Sequence, residues 1–273
     1  MTKNNIRDGE NQWALVTGAS SGLGIELAKV LAARRINLVL TARREQRMQQ
    51  LAEQLGQQHN VKIIVAPANL SEPGSAAALK EKIDAHGIEP TILVNNAGFG
   101  ISGFFIDQSP EHLQAMLYLN IVSLTELTHI FGKSMAARGH GHILLVASMA
   151  AEGPTPLLAA YGASKAYVLS LGEALHMEFS PQVGVTVLSP GLMDTGFNEA
   201  AGYEAPDSAI IRKTKLAPAT VAQIGLDAMF ARKSHVIAGR LNKIMAVSGR
   251  FMSRHRMAKL CFDMAKNKHK KLK

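Results

Sequence analysis

Between Trp13 and Ile237, short runs of consecutive apolar residues alternate with longer stretches in which apolar positions recur every three to four residues. The first pattern reads as strand and the second as amphipathic helix. Strands are expected over residues 14–17, 37–41, 62–66, 92–95, 142–147, 185–188 and 235–237. Several are apolar on every residue, as strands covered on both faces are. Helices are expected over residues 22–34, 44–56, 73–86, 110–138, 157–179 and 218–232. About seven strands with helices between them predict an α/β chain, a doubly wound parallel sheet inside a three-layer α/β/α sandwich. Two long irregular stretches, 96–109 and 190–217, each follow an expected strand. Ligands of such sheets bind beyond the carboxyl ends of strands, so a site is expected at these loops.

Composition narrows the class. The chain has 273 residues, 47% of them hydrophobic and 19% charged. That balance suits one globular domain and fits neither a disordered polymer nor a membrane-spanning chain. The single cysteine, Cys261, excludes an internal disulfide framework and a thiolate-rich metal site. Residues 1–12 form a polar arm with no apolar stretch for a signal peptide, so a cytoplasmic location is the default expectation.

The net charge of +9 is unevenly placed, because residues 231–273 hold thirteen Lys and Arg against Asp263 alone. The expected organisation is therefore a mildly acidic domain over residues 13–240 followed by a basic amphipathic tail over 241–273. Residues 241–265 read as one helix. Its apolar positions Leu241, Ile244, Met245, Phe251, Met252 and Phe262 are interleaved with Lys243, Arg250, Arg254, Arg256 and Lys259. Such a helix can dock on its own domain or a second subunit, or lie on an anionic membrane surface. Its charges recur too often for a transmembrane span. Nucleic acid is not an expected partner, since no aromatic stacking pattern accompanies the charge.

The first expected strand runs directly into Gly18-Ala19-Ser20-Ser21-Gly22-Leu23-Gly24 and then a helix. Glycines allow a tight turn and close backbone approach, and the helix N-terminus offers free N–H groups to a pyrophosphate. A dinucleotide is expected here, on a Rossmann-type sheet. The second strand ends in Thr41-Ala42-Arg43-Arg44, with no acid to bind ribose hydroxyls and two guanidiniums suited to a 2′-phosphate. NADP(H) is favoured, with NAD(H) left open.

Ser148 follows the fifth strand, Tyr161 comes thirteen residues later, and Lys165 one helical turn beyond. On a helix, Tyr161 and Lys165 share a face. An ammonium beside a phenol favours phenolate, and such a tyrosine can protonate a carbonyl oxygen or deprotonate an alcohol.

Together these residues resemble the short-chain dehydrogenase/reductase family. The resemblance rests on Thr17–Gly24, Asn95-Asn96-Ala97-Gly98, Asn120, Ser148, Tyr161-Gly162-Ala163-Ser164-Lys165 and Pro190-Gly191 with Thr195, in order and spacing from about residue 13 to 237. It implies a hydride-transferring oxidoreductase with Tyr161 as acid/base, Lys165 on the nicotinamide ribose, Ser148 orienting the carbonyl and Asn120 anchoring a proton-relay water. It implies that Gly18, Ser20, Ser21, Gly22, Leu23 and Gly24 take the cofactor phosphates and ribose, and Arg43 the 2′-phosphate. Asn96, Ala97 and Gly98 would border the adenosine, and Pro190, Gly191 and Thr195 the nicotinamide. Where the family usually places an aspartate for adenine, this chain has Asn69 before Leu70, whose carboxamide oxygen can accept the same bond. A homodimer or homotetramer is implied, paired through the helices at 110–138 and 157–179.

Phe99, Phe104, Phe105, Leu192, Met193, Phe197, Tyr203, Ile210 and Ile211 make the two long loops apolar, so an apolar carbonyl or alcohol substrate is expected. Gly162–Ala166 falls short of a hydrolase nucleophile elbow, because no strand precedes Ser164. His140 and His142 read as solvated loop histidines rather than metal ligands. The rival function is a non-catalytic NADP-binding regulator tethered to a membrane surface by its basic tail.

Overall fold

The computed structural model describes residues 12–204, 209–249 and 251–269. The expected polar arm lies outside the described residues except for Gln12, as do Arg250 and the end of the lysine-rich terminus. Seven strands, β1 (Trp13–Thr17), β2 (Asn37–Thr41), β3 (Ile63–Val65), β4 (Ile92–Asn95), β5 (Gly141–Val146), β6 (Val183–Ser189) and β7 (His235–Ile237), form one sheet in the order β3-β2-β1-β4-β5-β6-β7. Every neighbouring pair is parallel. The chain winds outward from β1 to β3, then crosses back to place β4 on the other side of β1. This reversal opens a crevice at the carboxyl ends of β1 and β4.

The helices are α1 (Gly22–Ala33), α2 (Glu45–His59), α3 (Ser75–Asp84), α4 (Pro110–Leu117), α5 (Leu124–Arg138), α6 (Ala159–Glu178), α7 (Phe197–Ala200), α8 (Ala209–Thr214), α9 (Pro218–Phe230), α10 (Arg240–Gly249) and α11 (Arg254–His269). Side chains of a strand alternate between faces, and here both faces are covered. Ala14 and Val16 join Leu38, Leu40, Leu144 and Val146 under α1, α2 and α9. Leu15 joins Val39, Leu93 and Leu145 under α3, α5 and α6. All of these strand residues are buried, which is why the strands read as unbroken apolar runs. Each fully buried aliphatic side chain contributes about 1.5–3 kcal/mol relative to exposure.

Three expectations are corrected. The stretch 110–138 is not one α-helix: Ser109 caps α4 by accepting from the His112 N–H at 3.3 Å, and a wide π-turn over Tyr118–Ser123 separates α4 from α5. His142 is not a solvated loop residue but lies on β5, its ring edge-on to Phe230 at 5.4 Å. Burial pushes its imidazole down to about 4, so it is neutral at physiological pH. Residues 241–265 are not one helix either. Helix α10 ends at Gly249, and Ser253 opens α11 by accepting the Arg256 N–H at 3.3 Å.

The basic segment packs back on the chain. Asn242 of α10 is buried and donates to Ala238 O at 2.7 Å and Thr214 O at 3.1 Å. In α11, Phe262 meets Phe104 edge-on at 6.5 Å, and Met257 lies against Gly153. Among the described residues no helix is long and apolar enough to cross a membrane.

Candidate active site

The glycine turn leaves β1 with Gly18 at φ +68° and Gly22 at φ +53°, left-handed conformations that L side chains rarely adopt. Gly24 packs directly on the Gly18 carbonyl, so a methyl group there would collide with backbone. Ser21 stands at the N-cap of α1, and Ser20 and Leu23 are buried beside it. The result is a shallow cradle of backbone with the open N–H groups of α1 at one end. That shape fits a pyrophosphate.

The Asn95–Gly98 segment locks the cradle to β4. Asn96 donates its side-chain amide to Thr17 O at 2.9 Å, while the N–H groups of Asn96 and Ala97 both reach the Thr17 hydroxyl at 2.9 Å. Asn95 is buried and donates to the Thr128 hydroxyl on α5 at 2.9 Å. Gly98 lets the chain pass close to the catalytic candidates: a Cβ there would stand 2.9 Å from Asn120 Oδ1 and 3.3 Å from Lys165 Nζ.

At the far side of the crevice, Arg43 is exposed, while the next residue, Arg44, donates from Nε to the Ser20 hydroxyl at 3.2 Å. Partial burial and the neighbouring Arg47 and Arg43 hold the Arg44 guanidinium below its usual value. Cations crowded at the rim of a dinucleotide crevice suit a further phosphate. Asn69 follows β3, next to Ala68, whose N–H donates to Ala42 O at 3.2 Å. Its own carboxamide is engaged locally, donating to Glu72 at 2.7 Å and accepting from the Ser71 N–H at 3.3 Å, and Leu70 is buried behind it.

Ser148 emerges just beyond β5 and accepts the Ala150 N–H at 3.1 Å. Tyr161 and Lys165 lie one turn apart on α6, both buried. Burial pushes the Tyr161 phenol up to about 12, against a downward pull from its hydrogen bond with Ser148. Burial also pushes the Lys165 ammonium down to about 8. Lys165 Nζ donates to Val146 O at 2.8 Å and stands 5.9 Å from the centre of the Tyr161 ring. Of the two influences on the phenol, burial is the larger.

Asn120 sits inside the π-turn and is fully buried. It donates to Phe99 O at 3.0 Å and to the Ser164 hydroxyl at 3.1 Å, and accepts the Phe99 N–H at 3.2 Å. Its side chain therefore pins the loop after β4 to α6. Ser164 is buried within α6 and donates to Tyr161 O at 2.7 Å.

The loop after β6 closes the crevice from above. Pro190 O accepts the Met149 N–H at 2.9 Å, Gly191 seats against Asn242, and a Cβ on Gly22 would stand 2.9 Å from that of Thr195. The structure places Asn96 and Ala97 against Gly18, Thr195 against Gly22, and Asn120 and Lys165 against Gly98, with Arg43 after β2 and Asn69 and Leu70 after β3. Three contacts were not legible in the sequence: Phe197 over Tyr161 at 5.6 Å, Asn242 behind Gly191, and Arg44 on Ser20. Phe197 shows in sequence only as one apolar residue of a long loop.

A backbone cradle, a helix N-terminus and a buried Tyr–Lys pair beside Ser148 at the carboxyl edge of a reversed parallel sheet define a nucleotide-binding protein of the doubly wound class. Residues 12–205 match the short chain dehydrogenase family, and the chain belongs to it. It is 35% identical over 187 residues to a very-long-chain 3-oxoacyl-CoA reductase from Anas platyrhynchos, covering 66% of this chain and 59% of that one. Across six curated relatives that it matches, the chain spans between 32% and 61% of their length. A short-chain dehydrogenase from Sphingobium yanoikuyae in complex with NADPH superposes with a TM-score of 0.78 at 29% identity, over 88% of this chain and 93% of that one. A family member from Burkholderia phymatum in complex with NAD gives 0.75 at 25% identity, over 87% and 92%.

Proposed function

We propose that the chain is an NADP(H)-dependent oxidoreductase of carbonyl groups and secondary alcohols, with an apolar substrate. The observation that carries this reading is the buried Tyr161 phenol, hydrogen-bonded with Ser148 and one turn from Lys165, beside the glycine cradle. When bound, a nicotinamide coenzyme supplies or accepts the hydride. Gly18 and Gly22–Gly24 would hold its pyrophosphate, Arg43 and Arg44 its 2′-phosphate, and Asn69 and Leu70 its adenine side. Asn96, Ala97 and Gly98 would border the adenosine, with Pro190, Gly191 and Thr195 over the nicotinamide and Lys165 on its ribose.

The Tyr161 hydroxyl, held protonated at neutral pH, donates to the carbonyl oxygen while the Ser148 hydroxyl bonds the same atom. Asn120 keeps the loop after β4 in register with α6, so that Tyr161 and Lys165 keep their positions. Phe104 and Phe197 favour an apolar substrate, and the NADPH-bound neighbour supports the phosphate-bearing cofactor. Exposed Leu117, Val122, Tyr167 and Met177 on the outer faces of the α4–α6 region support a homo-oligomer paired there.

The test is titration of the purified protein with NADPH and NADH, repeated for Arg43→Ala and Arg44→Ala. The expected result is tighter NADPH binding that weakens about tenfold or more in a variant, while NADH binding is unchanged, since charge-assisted bonds contribute about 1.5–3 kcal/mol. Failure to bind either nucleotide would overturn the reading.

A further inference from the structure

Helix α10 faces the opposite way from a helix that merely closes a domain. Asn242 and Ala246 turn inward and are buried, whereas Leu241, Ile244, Met245 and Val247 are all exposed, Ile244 at 62%. A helix packed on its own domain ordinarily buries the apolar stripe and shows water the polar one. The exposure continues past α10 at Phe251, 89% exposed, and on α11 at Leu260 and Met264. Contact between Phe104 and Phe262 brings the turn at Phe105–Asp107 beside α11, and there Ile106 is 90% exposed. Single scattered apolar residues on a surface need no explanation, but so many on two consecutive helices and the turn beside them do.

Cations surround this patch. Arg240, Lys243, Arg254, Arg256 and Lys259 are exposed on the same two helices. Across residues 231–273 thirteen basic side chains face the single acid Asp263.

We propose that α10, α11 and the turn carrying Ile106 form one docking face for an anionic lipid surface. The aliphatic and aromatic side chains enter the boundary between headgroups and acyl chains, and the Lys and Arg side chains meet lipid phosphates and carboxylates. Nucleic acid would satisfy the cations but leave Ile244, Phe251 and Ile106 in water. A second copy would cover the apolar side chains but oppose two strongly positive faces. An anionic bilayer accepts both at once. The helices lie along the surface and do not span it, as no described helix is long and apolar enough to cross. Because α11 packs on Phe104 and Gly153, the loops after β4 and β5 come to the same side, and docking turns the mouth of the crevice toward the bilayer.

The test is co-sedimentation of the full chain with vesicles of phosphatidylcholine alone and of phosphatidylcholine with phosphatidylserine. Binding is expected to the anionic vesicles only, and to weaken at high salt. A Lys243→Gln/Lys259→Gln variant should bind about 30-fold more weakly, as each cation near the surface contributes about a fivefold factor. An Ile244→Ser/Phe251→Ser variant should lose binding comparably without loss of fold, since both side chains are exposed. Equal binding to both vesicle types, no binding, or binding unaffected by either variant would overturn the proposal. So would a shift from dimer to monomer in the apolar variant, which would assign the face to a second copy. Nucleotide titration without vesicles keeps this outcome separate from that of the catalytic reading.

Discussion

Replacing Phe197 with alanine should lower the pKa of Tyr161. The phenol stands at about 12 against an ordinary 10.0 because burial disfavours its charged form. Phe197 is one of the covers responsible: its ring lies 5.6 Å from that of Tyr161, tilted by 49°. Gly100 is seated against both, so that a Cβ there would stand 3.3 Å from each ring. Phe197 opens the four-residue α7, far in sequence from the helix that carries Tyr161, so truncation removes the cover and leaves α6 intact. If Phe197 supplies half of the effect, the titration midpoint falls by about one pH unit, a tenfold gain in phenolate at fixed pH, or ~1.4 kcal/mol. The assay is a spectrophotometric phenolate titration of wild type and Phe197→Ala, each referenced to a matching Tyr161→Phe background. Subtraction removes Tyr118, Tyr167 and Tyr203, the remaining tyrosines. Superimposable difference curves would refute burial by Phe197 as a cause. A midpoint below the ordinary value would show that the Lys165 charge, and not burial, controls the phenol.

Two further predictions concern the lysine and the glycine turn. Burial lowers Lys165 from 10.5 to about 8, so the unfolded chain binds more protons between those values and the penalty for burying the ammonium is relieved as pH rises through that window. Wild type should therefore gain thermal stability relative to Lys165→Met between pH 8 and 10.5, and parallel melting curves would contradict this. In Gly24→Ala the new methyl meets the Gly18 carbonyl, backbone that has no room to move, so a loss of about 1–3 kcal/mol and weaker nucleotide binding are expected. Its companion Gly56→Ala, inside α2 with nothing nearer than Val61 O at 3.6 Å, should instead stabilise by about 0.5–1 kcal/mol. Denaturant melts of the two variants moving the same way would refute the distinction.

The strands were legible because a sheet buried on both faces takes mostly apolar side chains, as at the paired Leu15, Val39 and Leu93, with polar residues such as Thr17, Thr41 and Asn95 at strand ends. The site was legible where one element fixes the geometry: Tyr161 and Lys165 share a face of one helix, and Gly18–Gly24 is a single strand-to-helix turn. The π-turn at Tyr118–Ser123 was hidden, since it alters the hydrogen-bond span without requiring any particular residue. The cover of Phe197 over Tyr161 depends on the path of a long loop, which local pattern does not encode. For α10, periodicity told which side chains share a face but not whether that face points in or out. The decision is tertiary, made by Asn242 finding Thr214 O and Ala238 O.

The π-turn also restricts where the chain can change length. A π-turn holds one residue more than the α winding it replaces, and an α-helix advances about 100° per residue, so forcing Tyr118–Ser123 into regular winding at the same length would rotate all of α5 by that angle. Leu127, Phe131 and Met135, now under the sheet, would swing to its flank, and Asn120 would lose Phe99 and Ser164 together. The loops after β4 and β6 impose no such phase on the helices downstream of them. Insertions and deletions belong in those loops, whereas between Pro110 and Arg138 only loss of the one residue that the π-turn absorbs would keep α5 in phase.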